Sequence, residues 1–154
     1  MKNCVIICNP NSGHTNKEHT IESFKTILAE KKYNVDVKYT KYSGHAIEIM
    51  KELDNKVDLV ISIGGDGTFN EVITGNISRR KKLLLSHIPL GTTNDLGSIF
   101  GMTKNPVNNL KMILDGEIKN IDICTVNNSS FIYFLGFGNF VDVSYTTPKN
   151  LKEK

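Results

Sequence analysis

The 154-residue sequence predicts an α/β domain with a mainly parallel sheet flanked by helices. Three observations predict it. Apolar runs of strand length alternate with longer amphipathic stretches. Some of those runs are apolar almost throughout, as strands buried on both faces are. Polar, glycine-bearing turns follow three of the runs, where a parallel sheet needs loops leading into helices.

The elements follow in order. "CVIIC" (4–8) is a buried strand, ended by the turn "NPNSG". Over 18–32, Ile21, Phe24, Ile27 and Leu28 fall at helical spacing. "YNVDVKYT" alternates apolar and polar residues, as a half-exposed strand does. Ala46, Ile47, Ile49, Met50 and Leu53 suit a helix over 44–53. "VDLVISI" (57–63) is another buried strand, and "KLLLSHIPL" supplies one over 83–88. A short helix starts near Asn94, and a longer one runs from Pro106 to Asp115 and stops at Gly116. Then "NNSSFIYFLGFG" reads as a hairpin partner with a polar turn over 127–130, so antiparallel strands close the chain. The polar end, "TTPKNLKEK", reads as the start of a connection, which sets one domain over 1–145 and a linker over 146–154.

Composition narrows the function. The net charge of +3 permits an anionic partner without demanding one. No basic face is interleaved with aromatics, so nucleic acid is not expected. Cys4, Cys8 and Cys124 form no CxxC pair and no HExxH is present, so zinc has no support and the thiols read as buried and free. Cys4 and Cys8 share one face of their strand. The N-terminal apolar run is too short for a signal peptide and no run is long enough to span a bilayer, so a cytoplasmic protein is expected, one able to visit the inner face of a membrane. A homodimer is compatible with all of this.

Three loops are expected to converge on one sheet edge: "NPNSG", "GGDGT" and "LGTTND". In "SIGGDGTFNEV", Gly64 and Gly65 let the chain leave the strand sharply and let a ligand approach the backbone. Thr68 and Glu71 have capping-box spacing, and Phe69, Val72 and Ile73 share a helical face, so a helix begins here. Such an end presents backbone N–H groups and a favourable dipole to a phosphate. A hairpin turn is the competing reading, because Asp-Gly favours hairpins and Val72, Ile73 and Thr74 are β-branched. The loop matches neither the Walker A pattern nor GxGxxG. Thr92, Thr93, Asn94 and Asp95 exceed what one N-cap requires, which points to ligand contacts. Asp66, Asp95 and Asp122 each lie near a strand end, an arrangement suited to Mg²⁺ beside a polyphosphate. "RRKK" (79–82) reads as a solvated loop, with attraction to anionic lipid as the lesser reading. The four histidines read as surface or packing residues.

"NPNSG", "GGDGTFNEVITG", "PLGTTNDLG" and "IDI" stand in the order found in the diacylglycerol kinase catalytic domain, and the chain resembles the soluble bacterial lipid kinases from Asn9 onward. GGDGT alone is shared with NAD kinases and phosphofructokinases; GGDGTxNEV together with PxGTxND is far more specific. The resemblance implies the N-terminal domain of the NAD kinase/diacylglycerol kinase-like fold. It implies transfer of the ATP γ-phosphate to a lipid hydroxyl, diacylglycerol giving phosphatidic acid, with Mg²⁺. It places nucleotide contacts at Asn9, Pro10, Asn11, Ser12, Gly13, Thr40, Gly65, Asp66, Gly67, Thr68, Asn70, Glu71 and Thr92, with Gly64, Gly91 and Asn94 beside them. It ties Asp66, Asp95 and Asp122 to Mg²⁺, and the related sphingosine kinases suggest Asp66 as a base. Two departures stand out. Ser98 occupies a region where the family commonly has arginine. Family members are also about twice this long and carry the general base in a second, β-rich domain, so the chain is read as the nucleotide-binding half, inactive alone. An NAD kinase-like enzyme and a non-catalytic nucleotide-binding module are the alternatives.

Overall fold

Four parallel strands in the order β2-β1-β3-β4 form the main sheet of the computed structural model, which describes residues 1–13, 16–127 and 129–132. The strands are β1 (Lys2–Cys8), β2 (Tyr33–Tyr39), β3 (Leu59–Gly64) and β4 (Leu85–Pro89). Helices α1 (Lys17–Glu30), α2 (His45–Glu52) and α3 (Asp66–Ile77) connect them, and α4 (Asp95–Ile99) and α5 (Pro106–Asp115) follow β4. A short antiparallel pair, β5 (Cys124–Val126) and β6 (Ser129–Phe131), comes last among the described residues. Each element lies where the apolar spacing puts it, within a few residues. The expected hairpin turn is shorter, because Ser129 and Ser130 already belong to β6. The expected boundary at 145/146 lies outside the described residues.

Alternation along the strands explains the three layers. Cys4, Ile6 and Cys8 of β1 and Leu59, Ile61 and Ile63 of β3 join Ile21, Phe24 and Leu28 of α1 and Leu110 of α5 on one face. Val5, Ile7 and Val60 face the other way, against Ala46, Ile49 and Met50 of α2 and Phe69, Val72 and Ile73 of α3. The edge strand β2 has no fully buried residue, which is why its sequence alternates. Burial pushes the thiol of Cys4 up to about 12 and that of Cys8 up to about 11, so both behave as small core hydrophobes. Cys124, expected buried, is exposed because the short β5 is exposed along its length.

Helix α3 and the residues just after it hold α2 at both ends. Where they cross, a Cβ on Gly75 would sit 2.5 Å from Met50 Cβ and 2.8 Å from the Ile47 carbonyl, so only glycine admits this approach. At one end, the Glu71 carboxylate accepts from the amides of Gly44 (2.8 Å) and Ala46 (3.3 Å), capping the start of α2. At the other, the buried Arg79 guanidinium donates to the carbonyls of Met50 (2.6 Å) and Lys51 (3.4 Å) and to Asn55 Oδ1 (2.8 Å). A negative group at the N-terminus and a positive one at the C-terminus both complement the helix dipole.

This corrects one expectation and qualifies another. Glu71 forms no capping box with Thr68, because α3 starts at Asp66 and the carboxylate turns outward to α2. In "RRKK" Arg80, Lys81 and Lys82 are exposed, as a solvated loop requires, while Arg79 is buried against α2. Lys81 Nζ donates to the Asn55 carbonyl and Lys82 Nζ to the Ile77 and Arg79 carbonyls.

His87 of β4 is 2% exposed. Its Nδ1 shares a 2.7 Å hydrogen bond with Ser62 Oγ, and its ring stacks on Phe69 at 4.7 Å and 10°. Burial pushes it down to about 4, against the opposing pull of the Asp66 carboxylate. Its Nε2 has no hydrogen-bond partner among the described residues.

Two predictions follow from these contacts. Arg79→Ala leaves the α2 carbonyls without their donors and costs about 2–3 kcal/mol in urea unfolding, whereas the same change at the exposed Arg80 costs less than about 0.5. Equal losses would refute the capping role. His87 is neutral when folded but binds a proton below its ordinary value of 6.5 when unfolded. Stability is therefore full above about pH 6.5 and falls by up to about 3 kcal/mol as pH drops toward 4. In the double variant Ser62→Ala/His87→Phe, unfolding midpoints measured at pH 7 and 4.5 should move apart less than in the parent; equal spacing would refute it.

Candidate functional site

The strand order places the topological switch between β1 and β3: from β1 the chain crosses one way to β2, from β3 the other way to β4. Ligands of open α/β sheets bind at the carboxyl ends of the strands beside such a switch. Those ends carry the loops 9–13 and 64–68, with 90–95 next to them.

The three loops touch. Asn9 N donates to the Ile63 carbonyl (2.9 Å) and Leu90 N to the Gly64 carbonyl (2.7 Å), extending the ladder past the strands. Asn9 Nδ2 donates to Thr68 Oγ1 (3.1 Å), and Asn9 Oδ1 accepts from Asn11 N (3.0 Å), folding the β1 loop back on itself. Ser12 Oγ donates to the Asn9 carbonyl (3.1 Å). Pro10 is exposed at the tip. Gly13 has φ +57°, and a Cβ there would lie 2.3 Å from the Leu90 carbonyl oxygen. A Cβ on Gly91 would lie 2.5 Å from Gly65 Cα. Both glycines are thus required by the closeness of neighbouring backbone. Gly65 has φ −92° and ψ −179°, an extended conformation open to any residue.

Helix α3 begins at Asp66, which excludes the hairpin alternative. Among the described residues no side chain caps its first-turn amides. The other helix starts are all served by side chains. Asn16 and Asn105 cap α1 and α5, and Glu71 caps α2. Asp66 caps α4, its two oxygens accepting from the amides of Asp95 (3.0 Å) and Leu96 (3.2 Å). Gly67 is exposed with nothing within 4 Å of a Cβ, so the open end faces free space.

Lys17 was not singled out by the sequence. It opens α1, is 7% exposed, and its Nζ donates to the carbonyls of Pro10 (3.2 Å) and Ser12. A lysine in a first turn opposes the helix dipole unless it gains partners. Here it binds the inside of the 9–13 loop and brings a positive charge beneath it. Its position after a glycine turn is the one signal the sequence offered.

The remaining expected residues divide. Thr40 is buried at the end of β2, its amide donating to the Cys8 carbonyl (2.9 Å), which sets it beside the 9–13 loop. Asn94, at φ 57°, spends its amide on Gly91: Oδ1 accepts from Gly91 N (2.7 Å) and Nδ2 donates to its carbonyl (2.8 Å). Thr92 is exposed on the same loop. Asn70 Oδ1 is buried without a hydrogen-bond partner among the described residues. Asp122 is exposed on the segment before β5. Among the described residues no three His, Cys, Asp or Glu side chains gather as metal ligands, and both Asp66 oxygens accept from amides. No described helix is long and apolar enough to cross a membrane.

Known proteins match this arrangement. Residues 3–126 match the diacylglycerol kinase catalytic domain. A diacylglycerol kinase of Staphylococcus epidermidis is 34% identical over 152 residues, covering 98% of this chain and 48% of that protein. One from Staphylococcus haemolyticus is 33% identical over 154 residues, covering 99% and 47%. The crystal structure of a diacylglycerol kinase from Bacillus anthracis superposes with a TM-score of 0.75 at 29% identity, over 84% of this chain and 48% of that one. The chain spans about half the length of the relatives it matches. With most of its length matched and the three loops assembled on one sheet edge, the chain belongs to the diacylglycerol kinase catalytic domain family.

Proposed function

We propose that this chain is the ATP-binding part of a kinase that phosphorylates a lipid hydroxyl, with diacylglycerol as acceptor and phosphatidic acid as product. The observation that carries the reading is the open start of α3. Every other described helix start is capped by a side chain, two of them from α3 itself, while the amides of Asp66, Gly67 and Thr68 are left to an outside acceptor. Backbone N–H groups at a helix start suit a phosphate. Lys17 adds positive charge beside them. The relatives' name, diacylglycerol kinase, supplies the acceptor class.

The residues divide the work accordingly. The amides of 65–68 and the 9–13 loop hold the β- and γ-phosphates. Gly13 and Gly91 keep the loops close enough to act on one ligand. Thr40 and Thr92 border the same edge and bound the rest of the nucleotide. Asp66 is the base candidate on this chain, but its carboxylate already holds α4. Deprotonating an acceptor would require a group that reaches the hydroxyl and is free to take a proton. In-line transfer also requires that hydroxyl to be held against the γ-phosphate. The protein works on lipid at the inner face of a membrane, and residues 1–154 alone do not turn over.

Titrating the chain with ATP should shift the amide resonances of 9–13, 64–68 and 91–92. Shifts confined to the opposite edge of the sheet would overturn the reading. Gly65→Ala should bind as the parent does, since its Cβ would make ordinary contact 3.5 Å from Gly91 Cα. Gly65→Val should lose binding by about tenfold or more while staying folded, because its methyl groups fill the gap over the amides. With labelled ATP and mixed lipids, the chain should give no phospholipid product above background.

A further inference from the structure

We propose that Glu71 is a positioning residue: it ties the β2–α2 loop, with Thr40, to the helix that carries the glycine loop, and takes no ligand itself. The inference rests on the nucleotide reading above. Both carboxylate oxygens are engaged, one with Gly44 N at 2.8 Å and one with Ala46 N at 3.3 Å. The N-cap of α2 is Gly44 at φ 89°, which has no side chain to serve its own helix. With eight residues, α2 is too short to be stable alone, so the partner that supplies its cap decides where it starts.

Three contacts fall at 71, 75 and 79: Glu71 and Gly75 lie one turn apart on α3, and Arg79 follows just after the helix ends at Ile77. They are a carboxylate at the start of α2, a glycine at the crossing and a guanidinium at the end. Arg79 and Gly75 fix how α2 lies on α3. Glu71 alone acts at the end of α2 nearest the ligand loops. The segment it holds is ordered by its own contacts as well: Lys41 N donates to His45 Nδ1 (3.0 Å), and the rings of Tyr42 and His45 stack at 4.7 Å. Thr40 opens this segment and is joined to the end of β1 through Cys8. Residues 40–44 therefore take their place from two sides, the ladder and Glu71. A nucleotide that meets the glycine loop with its phosphates meets a second wall set by the same helix.

The test uses the whole chain, two probes and two variants. Inorganic triphosphate reports the phosphate loops alone; ATP reports the phosphates and the Thr40 segment together. Glu71→Ala should speed amide exchange at Gly44 and Ala46 by about tenfold. It should weaken ATP by about fivefold and leave triphosphate within about twofold. Glu71→Gln keeps one acceptor for Gly44, so it should restore protection there and recover most of the ATP affinity. A residue that bound phosphate or metal through its charge would behave otherwise: Gln would lose as much as Ala, and triphosphate would weaken with ATP. Either result overturns the proposal, as does unchanged exchange at Gly44 and Ala46. A parent chain that binds neither probe refutes the nucleotide reading instead, and the exchange rates of the ligand-free variants still decide the cap.

Discussion

A helix start leaves backbone N–H groups that need acceptors, and this structure depends on how those needs are met. The first and last helices carry their own asparagine caps. The three helices between them lack local caps, and two of these, α2 and α4, are served by carboxylates from α3. Asp66 and Glu71 thus fasten the neighbours on either side of the glycine loop, and the helix that supplies both is itself left open. The loops around that opening are then held in place by contacts directed away from it.

The legibility of the sequence follows from range. Strands and helices were readable because their apolar residues repeat at short spacing, and α5 agrees with its expected limits because Pro106 and Gly116 mark both ends. The convergence of the three loops was readable because a parallel sheet has one carboxyl edge. Long-range pairings were not readable. Glu71 has capping-box spacing from Thr68, yet its partners lie 27 and 25 residues away. Arg79 sits in a basic run whose other three residues are exposed, and it reaches the carbonyls of Met50 and Lys51 on α2. His87 stands in an apolar strand, where nothing local foretells the Ser62 bond or the Phe69 stack. Lys17 is hidden for a related reason, since apart from its place after a glycine turn nothing marks a lysine at a helix start as pointing inward.

The role of the glycines changes in the same way. Gly65 looked like a residue chosen for unusual backbone angles, but its conformation is extended and ordinary. Its partner Gly91 carries the tighter constraint, because any side chain there would enter the 64–68 loop. Gly13 is constrained twice, by its positive φ and by the Leu90 carbonyl. One aspartate fits the same pattern: Asp66 sits at the loop that the family motif marks, and what it visibly does is hold α4.

The crossing of Gly65 and Gly91 has a consequence for how the sequence can drift. Two loops that meet through main-chain atoms have a separation set by atomic radii, not by the size of any side chain. Exchange at Thr92 and Thr93, which are exposed beside them, can alter the chemistry presented at the surface without moving the loops apart. The spacing works like a fixed gauge, set by main chain and not by the side chains exposed beside it.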